Sequence, residues 1–369
     1  KTTPRPGLSP FCRYQGMDVA CGPLGLPGEP DVFYNNNSDG TFSDVTDEAG
    51  IHDPGHYGYG VISGDLNSDG WPDLYVANDQ NPNFLFRNNQ NKTFTEIAVQ
   101  VGAAFSETGV PQAGMGLDTG DFNRDGYMDI FVTNFSGDTN TLYQNLGDGN
   151  FAVVTHEVGL GASSMSYLGW GTGFVDFDND GFLDLFIANG HVYPQVDRLR
   201  QESTFLQRNQ LYRNLGGWHF QEIDGGGVET LGVERSSRAV AFADYDNDGD
   251  LDILITNLDD RPNLLRNEGG NKNHWLKLQL IGTTSNRDAI GARIIAKGGG
   301  HTQTAEVRSG ASYLSHNDSR VHFGLGENPI VSQLEVRWPN GLVEIFENVK
   351  ADQVLLIREG EGSGVVNSP

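Results

Sequence analysis

Four short acidic loops recur along the chain and carry its clearest chemistry. Each has the form Asp-x-Asp/Asn-x-Asp-Gly-x-x-Asp and is followed by an apolar residue. The loops begin at Asp65, Asp121, Asp176 and Asp244, and we number them loops 1 to 4 in that order. Side-chain oxygens at positions 1, 3, 5 and 9 are the ligands that a hard cation prefers, and the glycine at position 6 allows a sharp turn. The sequence therefore predicts about four Ca²⁺ sites.

Five positions in each loop are predicted to bind the ion. Positions 1, 3, 5 and 9 offer side-chain oxygens, and position 7 is expected to offer its backbone carbonyl. The predicted ligands are Asp65, Asn67, Asp69, Trp71 and Asp73 in loop 1; Asp121, Asn123, Asp125, Tyr127 and Asp129 in loop 2; Asp176, Asp178, Asp180, Phe182 and Asp184 in loop 3; and Asp244, Asp246, Asp248, Asp250 and Asp252 in loop 4. Ligation by oxygen alone favours Ca²⁺ over zinc, and the number of protein oxygens favours it over Mg²⁺.

Two other interpretations of the loops remain open. They could be acidic turns that hold no ion, although two carboxylates at 4 Å repel by about 4 kcal/mol at an effective dielectric constant near 20. An ion with a catalytic role is disfavoured, because the four loops resemble one another and no nucleophile stands near them in sequence. A structural Ca²⁺ that stabilises the surrounding fold is the favoured interpretation.

Each loop lies inside the same larger repeat. A glycine-rich strand precedes it. An apolar strand ending in Asn, a strand of the form Leu-Tyr/Phe/Leu-x-Asn and a last short strand follow. The loops start 56, 55 and 68 residues apart, which is typical of propeller blades in an all-β protein, with a β-sandwich as the alternative. Residues 31–271 therefore contain four full blades, preceded by a half blade at 31–51 that lacks its first two strands. We expect an upstream segment, or another chain, to complete it.

The regions outside the blades have different patterns. Alternating apolar residues predict a seven-stranded β-sandwich or barrel over 272–360, and residues 361–369 are expected to form a flexible tail. Residues 1–30 are rich in proline and are expected to be loop-like. They hold the two cysteines, Cys12 and Cys21, for which a disulfide formed in an oxidising compartment is favoured over free thiols.

The formal charge and the sequence motifs narrow the range of possible functions. A formal charge of -25 makes nucleic acid and anionic lipid poor partners, and the chain has no apolar run long enough to span a membrane. No metalloprotease, nucleophile-elbow or P-loop motif is present. Two regions are candidates for partner contact. One is the insertion at 190–209, and the other is a set of C-terminal arginines (Arg293, Arg308, Arg320, Arg337) for which cross-strand ion pairs on a solvated face are favoured.

The repeats resemble FG-GAP/VCBS-type repeats, the calcium-loop blades of integrin α-subunit propellers. The C-terminal region resembles the ASPIC/UnbV domain through Asn273-His-Trp-Leu276, Glu306-Val-Arg-Ser-Gly310, His322-Phe-Gly-Leu-Gly326 and Glu335-Val-Arg-Trp-Pro339. The combination is similar to the cartilage acidic protein family and its bacterial relatives. The resemblance implies an integrin-α-like propeller of seven blades, with blades upstream of this chain, in a protein that is secreted, binds calcium and mediates interactions.

We therefore predict a secreted, calcium-stabilised propeller with a non-catalytic role in adhesion, interaction or surface assembly. Its location would be extracellular, at the cell surface or periplasmic. The expected partners are a protein or polysaccharide at the cell surface, or further copies of the chain. The alternative is an extracellular hydrolase or carbohydrate-binding protein that uses the axial face of the propeller.

Overall fold

The computed structural model describes residues 11–23, 26–199, 203–223, 231–362 and 365–367. An N-terminal hairpin of β1 (Phe11–Tyr14) and β2 (Met17–Ala20) replaces the loop expected there. Its two turn residues, Gln15 and Gly16, both have positive φ, which is the geometry that matches the twist of paired strands. The predicted disulfide joins Cys12 to Cys21 beside this hairpin, with the Cα atoms 4.8 Å apart.

The half blade predicted at 31–51 is a two-stranded sheet. It consists of β3 (Tyr34–Asn36) and β4 (Phe42–Asp44), followed by one helical turn, α1 (Thr46–Ala49). Tyr34 and Phe42 are 59% and 63% exposed, so this sheet buries little of its own surface. Its inward residues Phe33 and Val45 pack against the next blade beside Phe84 and Phe86.

Blades 1 to 3 are four-stranded antiparallel sheets with the strands in chain order. Their strands are β5 (Gly58–Gly64), β6 (Asp73–Asn78), β7 (Phe84–Asn88) and β8 (Phe94–Glu96); β9 (Leu117–Gly120), β10 (Asp129–Val132), β11 (Thr141–Asn145) and β12 (Phe151–Val153); and β13 (Gly169–Val175), β14 (Asp184–Asn189), β15 (Gln210–Asn214) and β16 (Phe220–Glu222). Short helices α2 (Ala98–Val101) and α3 (Gly161–Ser164) follow the first two blades. Every loop joins the first and second strands of its blade.

Blade 4 has three strands in the described residues, where the sequence predicts a full blade. They are β17 (Ser237–Ala243), β18 (Asp252–Asn257) and β19 (Asp260–Leu265). After β19 the chain makes a 3-10 turn at Gly270–Lys272 and enters the C-terminal domain at once. No residues remain in this connection for a fourth strand, so the prediction of four full blades is wrong for this one.

The first strands of the blades lie close together, and glycine makes that approach feasible. A Cβ on Gly60 would lie 2.6 Å from the carbonyl oxygen of Met115, and one on Gly116 would lie 2.0 Å from that of Trp170. Apolar side chains fill the space between successive blades; Ile62 and Tyr75 of blade 1, for example, cluster with Ile130 of blade 2. The glycines in these segments thus allow the innermost strands to pack closely, as the repeat pattern predicts.

The C-terminal domain contains the seven expected strands in two sheets. They are β20 (His274–Ile281), β21 (Arg293–Gly298), β22 (His301–Glu306), β23 (Val321–Gly326), β24 (Ile330–Arg337), β25 (Leu342–Lys350) and β26 (Gln353–Arg358). One sheet has the order β23-β20-β26, and the other begins β22-β21-β24-β25. An eighth strand, β27 (Val365–Asn367), pairs with residues 342–344 of β25. Part of the segment predicted to be a flexible tail therefore extends this sheet, because the edge of β25 offers it backbone partners.

A loop of the C-terminal domain reaches the innermost strands of blades 2 to 4. This segment, residues 307–320 between β22 and β23, is called the axial loop here. Ser312 exchanges backbone hydrogen bonds of 2.8 and 3.1 Å with Leu117, and its hydroxyl accepts a bond from the amide of Thr172. Asn317 accepts a bond from the amide of Phe242 in β17. The axial loop therefore contacts the first strand of three successive blades.

Candidate metal-binding loops

The four loops share one backbone conformation. Position 4 has positive φ in every loop, as does the glycine at position 6; the position-4 residues are Ser68, Arg124, Asn179 and Asn247. The first aspartate holds this turn, because its Oδ2 accepts the backbone N–H of the position-6 glycine. The distances are 3.0 Å in loops 1 and 2, 2.7 Å in loop 3 and 3.1 Å in loop 4. These hydrogen bonds therefore help to hold a bend that gathers the predicted ligands.

The aspartate at position 9 is held by the backbone of its own blade. In loop 3, Asp184 accepts the N–H of Asn214 at 2.8 Å and that of Phe177 at 3.1 Å. Loops 2 and 4 repeat both bonds, and Asp73 of loop 1 accepts the corresponding N–H of Asn88. Position 9 therefore joins each loop to the third strand of its blade, in addition to its predicted role as a ligand.

The asparagine that ends each third strand also links neighbouring loops. The amide of Asn145 donates to the carbonyl oxygen of Leu66 in loop 1, at 2.7 Å. Asn214 does the same to Phe122 in loop 2, and Asn267 to Phe177 in loop 3, both at 2.8 Å. The Leu-Tyr/Phe/Leu-x-Asn pattern marks these residues in the sequence, but only the structure shows that each bond crosses to the preceding blade.

Carboxylates converge most closely in loops 3 and 4. Single oxygens of Asp176, Asp178 and Asp184 lie within 4.8 Å of one another, and so do those of Asp244, Asp246 and Asp252. Loops 1 and 2 have an asparagine, Asn67 or Asn123, at position 3, so their oxygen sets carry one charge less. Three predicted side-chain ligands in loop 3 and three in loop 4 therefore lie together in a turn that could hold a cation. The other predicted ligands, and the identity of the metal, stay predictions.

The electrostatics of the loops favour binding of a cation. Burial, reinforced by the neighbouring aspartates, raises the pKa of Asp73 and of Asp121 to about 7. The pKa of Asp129, Asp176 and Asp184 is raised well above its usual range for the same reasons. Asp73 Oδ2 and Asp121 Oδ1 are buried without a hydrogen-bond partner. Buried carboxylate oxygens without donors fit a bound Ca²⁺, which would supply the missing positive charge.

Position 7 differs among the loops in what its side chain does. Trp71 is 46% exposed, whereas the Arg124 guanidinium lies 3.3 Å from the ring centre of Phe182. Asp250 is buried and accepts the N–H of Gly270, which ties loop 4 to the start of the C-terminal domain. These side chains therefore serve packing, and the carbonyl ligand predicted at this position stays a prediction.

Two arginines bridge carboxylates of the more acidic loops. Arg213 lies 2.5 Å from Asp178 and 3.5 Å from Asp180, and Arg266 contacts Asp246 at 2.8 Å and Asp248 at 3.6 Å. Each arginine precedes the asparagine that ends the third strand. Loops 3 and 4 thus have a fixed cation at positions 3 and 5, which partly offsets their extra carboxylate.

The C-terminal domain covers the face of the propeller that carries the loops. Arg293 donates to the carbonyl oxygen of Gly126 in loop 2 at 2.5 Å, and His322 contacts Asn179 of loop 3 at 2.6 Å. Arg308 lies 2.9 Å from Asp118, beside loop 2, and Lys277 pairs with Asp244 of loop 4. Arg293 forms the expected cross-strand pair, with Glu306 at 3.3 Å. The expected solvated face is wrong for Arg293 and Arg308, because docking against the propeller largely buries both side chains.

Arg320 and Arg337 pair within the C-terminal domain, but each pairs with the acidic residue two positions earlier in the chain and not across strands. Arg320 is 2.5 Å from Asp318 and Arg337 is 2.6 Å from Glu335, and the latter pair lies at the surface. A cavity of about 160 Å³ lies between this domain and the propeller, and Asp121 and Asp176 form part of its wall. The predicted first ligands of loops 2 and 3 therefore line a partly open cavity between the two domains.

The insertion at 190–209 packs against the N-terminal hairpin, on the face opposite the loops. Tyr14 of the hairpin lies 5.3 Å from Tyr193 and 5.8 Å from His191, measured between ring centres. Burial lowers the pKa of His191 to about 4. Arg200, which the sequence analysis included in this candidate, lies outside the described residues. The insertion is thus partly a structural support for the disulfide-bonded hairpin.

A second aromatic group completes this opposite face. Trp170 lies 4.8 Å from Tyr313 of the axial loop, and Arg238 lies 4.4 Å from the centre of the tryptophan ring. Tyr59 contacts both aromatic rings.

Among the described residues, no helix is long and apolar enough to cross a membrane.

Blades with an acidic loop between their first two strands, capped by a β domain, define an all-β protein of the integrin-like propeller class. The FG-GAP-like repeat family matches residues 16–76, 65–132, 121–187 and 202–255, so the chain belongs to that family. The ASPIC and UnbV domain matches residues 282–364, which is most of the C-terminal domain. These matches confirm the family resemblance of the repeats and of the C-terminal region.

Curated relatives share both parts. Cartilage acidic protein 1 of Xenopus tropicalis is 28% identical over 296 residues, which cover 78% of this chain and 42% of the relative. That of Homo sapiens is 29% identical over 328 residues, which cover 86% and 46%. The chain therefore spans less than half the length of these relatives.

Among solved structures, the chain is similar to an Agrocybe aegerita lectin that recognises non-reducing terminal N-acetylglucosamine. The match covers 65% of this chain and 75% of the lectin chain, with 16% identity. Its TM-score of 0.29 supports no inference about ligand or fold.

Proposed function

We propose that this chain belongs to an extracellular propeller protein that binds Ca²⁺ through its four loops and acts by non-catalytic interaction or adhesion. The observation that carries the proposal is the set of loop turns in which buried carboxylates converge, some with oxygens that have no donor. Ca²⁺ at these loops would neutralise the carboxylates and hold the first two strands of each blade together. FG-GAP repeats followed by an ASPIC/UnbV domain fit an interaction role.

Three observations support the proposed extracellular location. The disulfide between Cys12 and Cys21 is of the kind that persists in oxidising compartments. Extracellular calcium modules bind their ions weakly, at about 10⁻⁴ to 10⁻³ M, so such loops would be occupied outside cells. The relatives are named for cartilage, an extracellular tissue, which is consistent with this proposal.

The expected partner is a protein or a polysaccharide at the cell surface, or a further copy of the chain. The alternative of a hydrolase at the axial face has weaker support. The axial loop contacts the innermost strands of blades 2 to 4, and the C-terminal domain covers the loop face, so a substrate would have to displace them. The opposite face, with Tyr59 and Tyr193, is the more accessible surface for a partner.

Thermal unfolding of the full chain tests the calcium proposal. We expect the melting temperature to rise as Ca²⁺ increases from about 0.1 to 10 mM, and Mg²⁺ to have a smaller effect. One site at 100 times its dissociation constant stabilises the fold by about 2.7 kcal/mol. The matched control replaces the position-9 aspartate of all four loops by asparagine, which leaves Asp244 paired with Lys277. Equal melting temperatures in Ca²⁺ and in EDTA would refute calcium binding.

A binding screen tests the interaction role separately. The chain would be applied to arrays of extracellular glycans and matrix proteins, in Ca²⁺ and in EDTA. Saturable binding to one class, lost in EDTA or in the four-loop control variant, is the expected result. Turnover of a glycan or peptide by the purified chain, lost in the same variant, would instead support the hydrolase.

A further inference from the structure

The C-terminal domain places a lysine on the first ligand of loop 4. Lys277 lies in β20, and its side chain is only 1% exposed. Its ammonium contacts Oδ2 of Asp244, the same oxygen that accepts the N–H of Gly249. A buried ammonium from one domain therefore shares a carboxylate with a predicted metal loop of the other.

The surroundings of Lys277 make Asp244 its natural partner. Asp318 lies nearby, but it is already bound to Arg320, with an N–O distance of 2.5 Å. The ring of Trp275 lies 5.6 Å from the ammonium and is uncharged. A buried ammonium requires a carboxylate partner, because an unpaired charge in the interior is strongly unfavourable. Lys277 thus depends on Asp244 for its charge balance.

A divalent cation at loop 4 would depend on the same carboxylate. The ammonium and the ion would then be like charges on one ligand, and each would weaken the binding of the other. We propose that Lys277 is a built-in counter-cation of loop 4, which lowers the affinity of that loop for Ca²⁺ and couples its occupancy to docking of the C-terminal domain. The inference rests on the proposed calcium binding. Docking of the C-terminal domain would lower the Ca²⁺ affinity of loop 4 by a certain factor. By thermodynamic linkage, bound Ca²⁺ would lower the equilibrium constant for docking by the same factor.

The other loops provide internal references. In loop 3, the first ligand Asp176 accepts backbone N–H groups from Asp180 and Gly181 and faces the backbone of Gly324 in the C-terminal domain. In loop 1, Arg293 lies 3.7 Å from Asp65 but 3.3 Å from Glu306, so its charge is shared. The coupling should therefore be strongest at loop 4, weaker at loop 1 and weakest at loop 3.

Terbium luminescence can report ion binding at loop 4 in the full chain. Trp275 lies against Gly249 at position 6 of this loop, close enough to sensitise a bound Tb³⁺. The loop-4 signal is the part that both Trp275→Phe and Asp252→Asn abolish; Asp244 is left unchanged because it is the partner of the buried Lys277. Displacement of Tb³⁺ by Ca²⁺ then gives the affinity of this site. The test variant is Lys277→Met, which keeps the length of the side chain and removes its charge.

Two variants control for charge and for the substitution itself. Lys277→Arg retains a cation and should keep an affinity close to that of the unmodified chain. Lys297→Met makes the same change at an exposed lysine of the same domain, whose ammonium contacts Gln333 and no loop. We expect Lys277→Met to raise the Ca²⁺ affinity of loop 4 by about tenfold, within the usual range of coupling between sites, and Lys297→Met to leave it unchanged.

The outcomes separate this inference from the calcium proposal. If the unmodified chain binds neither Tb³⁺ nor Ca²⁺, calcium binding itself is refuted. If it binds both, but Lys277→Met has an unchanged or lower affinity at loop 4, the counter-cation role is wrong. Should Lys277→Met fail to fold, Lys277→Gln replaces it, because the amide removes the charge and keeps a hydrogen-bond donor for Asp244, and the same increase is expected at loop 4. No increase there would likewise overturn the inference.

Discussion

The two faces of the propeller are built from different interactions. The loop face buries carboxylates, arginines and a lysine beneath the C-terminal domain, and its geometry is fixed by hydrogen bonds to charged oxygens. The opposite face is held by aromatic packing around Trp170 and Tyr14. Charge is sensitive to ions and pH, whereas packing is not. The stability of the two faces should therefore respond differently to Ca²⁺, and single substitutions can separate them.

The largest effect is expected on the opposite face, for Trp170→Ala. The side chain is buried among Met115, Leu168 and Tyr313, and its indole N–H donates to Gly190 O. Its removal should lower the free energy of unfolding by about 3–5 kcal/mol, equally in Ca²⁺ and in EDTA. Chemical denaturation in both buffers measures this, and Trp218→Ala, at a 75% exposed tryptophan, is the control. A loss of unfolding free energy that is seen in Ca²⁺ but not in EDTA would contradict the expected difference between the two faces.

On the loop face, Asp176→Asn should remove most of the stabilisation by Ca²⁺ at one site. The expected loss is about 2.7 kcal/mol at Ca²⁺ concentrations far above the dissociation constant. In EDTA the loss should be smaller, because the substitution also relieves repulsion with Asp178 and Asp184. Denaturation in both buffers again gives the result, with the exposed Asp18→Asn as control. Equal losses with and without Ca²⁺ would mean that Asp176 is only structural.

A third difference concerns pH. The folded-state pKa of Asp73 and Asp121 is about 7, above its ordinary value of 3.8, because burial and neighbouring aspartates disfavour the charged form. The folded state therefore binds more protons than the unfolded state between these values, and stability falls as pH rises from about 4 to 7. In EDTA, lowering the pH from about 7.5 to 5.5 should raise the free energy of unfolding by on the order of 1 kcal/mol.

Saturating Ca²⁺ should reverse the sign of this pH effect. Bound Ca²⁺ favours the charged carboxylates, so acidification would release the ion and destabilise the fold. Thermal melts at both pH values, with and without Ca²⁺, test the prediction. A stability that increases with pH in EDTA would contradict the charge burial described for the loops.

The smallest effect is expected for Arg213→Ala in loop 3. Arg213 is about half exposed, so its loss should cost about 0.2–1 kcal/mol in EDTA. In Ca²⁺ the loss should shrink, because the ion can neutralise Asp178 and Asp180 in its place. Arg87 occupies the same strand position in blade 1, where position 3 of the loop is Asn67. Arg87→Ala is therefore the matched control, and an equal change in both variants would argue against the arginine acting through the carboxylates.

The local structure was predictable because it depends on short-range patterns. Loop positions from Asp65 to Asp252 set the blade boundaries, and apolar alternation located all seven strands between 272 and 360. The N-terminal hairpin was missed because its strands are short and its turn, Gln15-Gly16, lies among prolines. The missing strand of blade 4 has no sequence signal of its own, since it is marked only by a short connection after Leu265.

The docking of the two domains could not be predicted from such patterns. Lys277 and Arg293 lie in strands whose alternation indicates a solvated face, yet both are buried against loops more than thirty positions away in the chain. Their partners are set by how two folded surfaces meet, which no local pattern specifies. The same applies to Asn145, whose role depends on the position of the preceding blade.

The axial loop has a consequence for the order in which the protein folds. Most blade contacts join residues that are close in sequence and can form as soon as a blade has been synthesised. By contrast, Arg308 reaches Thr119, 189 residues earlier, and Glu306 accepts a bond from the amide of Asp65, 241 residues earlier. Closing such distant contacts is slow, and the innermost strands must wait for the last quarter of the chain. The blades would therefore assemble first as a loose array, and insertion of the axial loop would be the late step that locks them together.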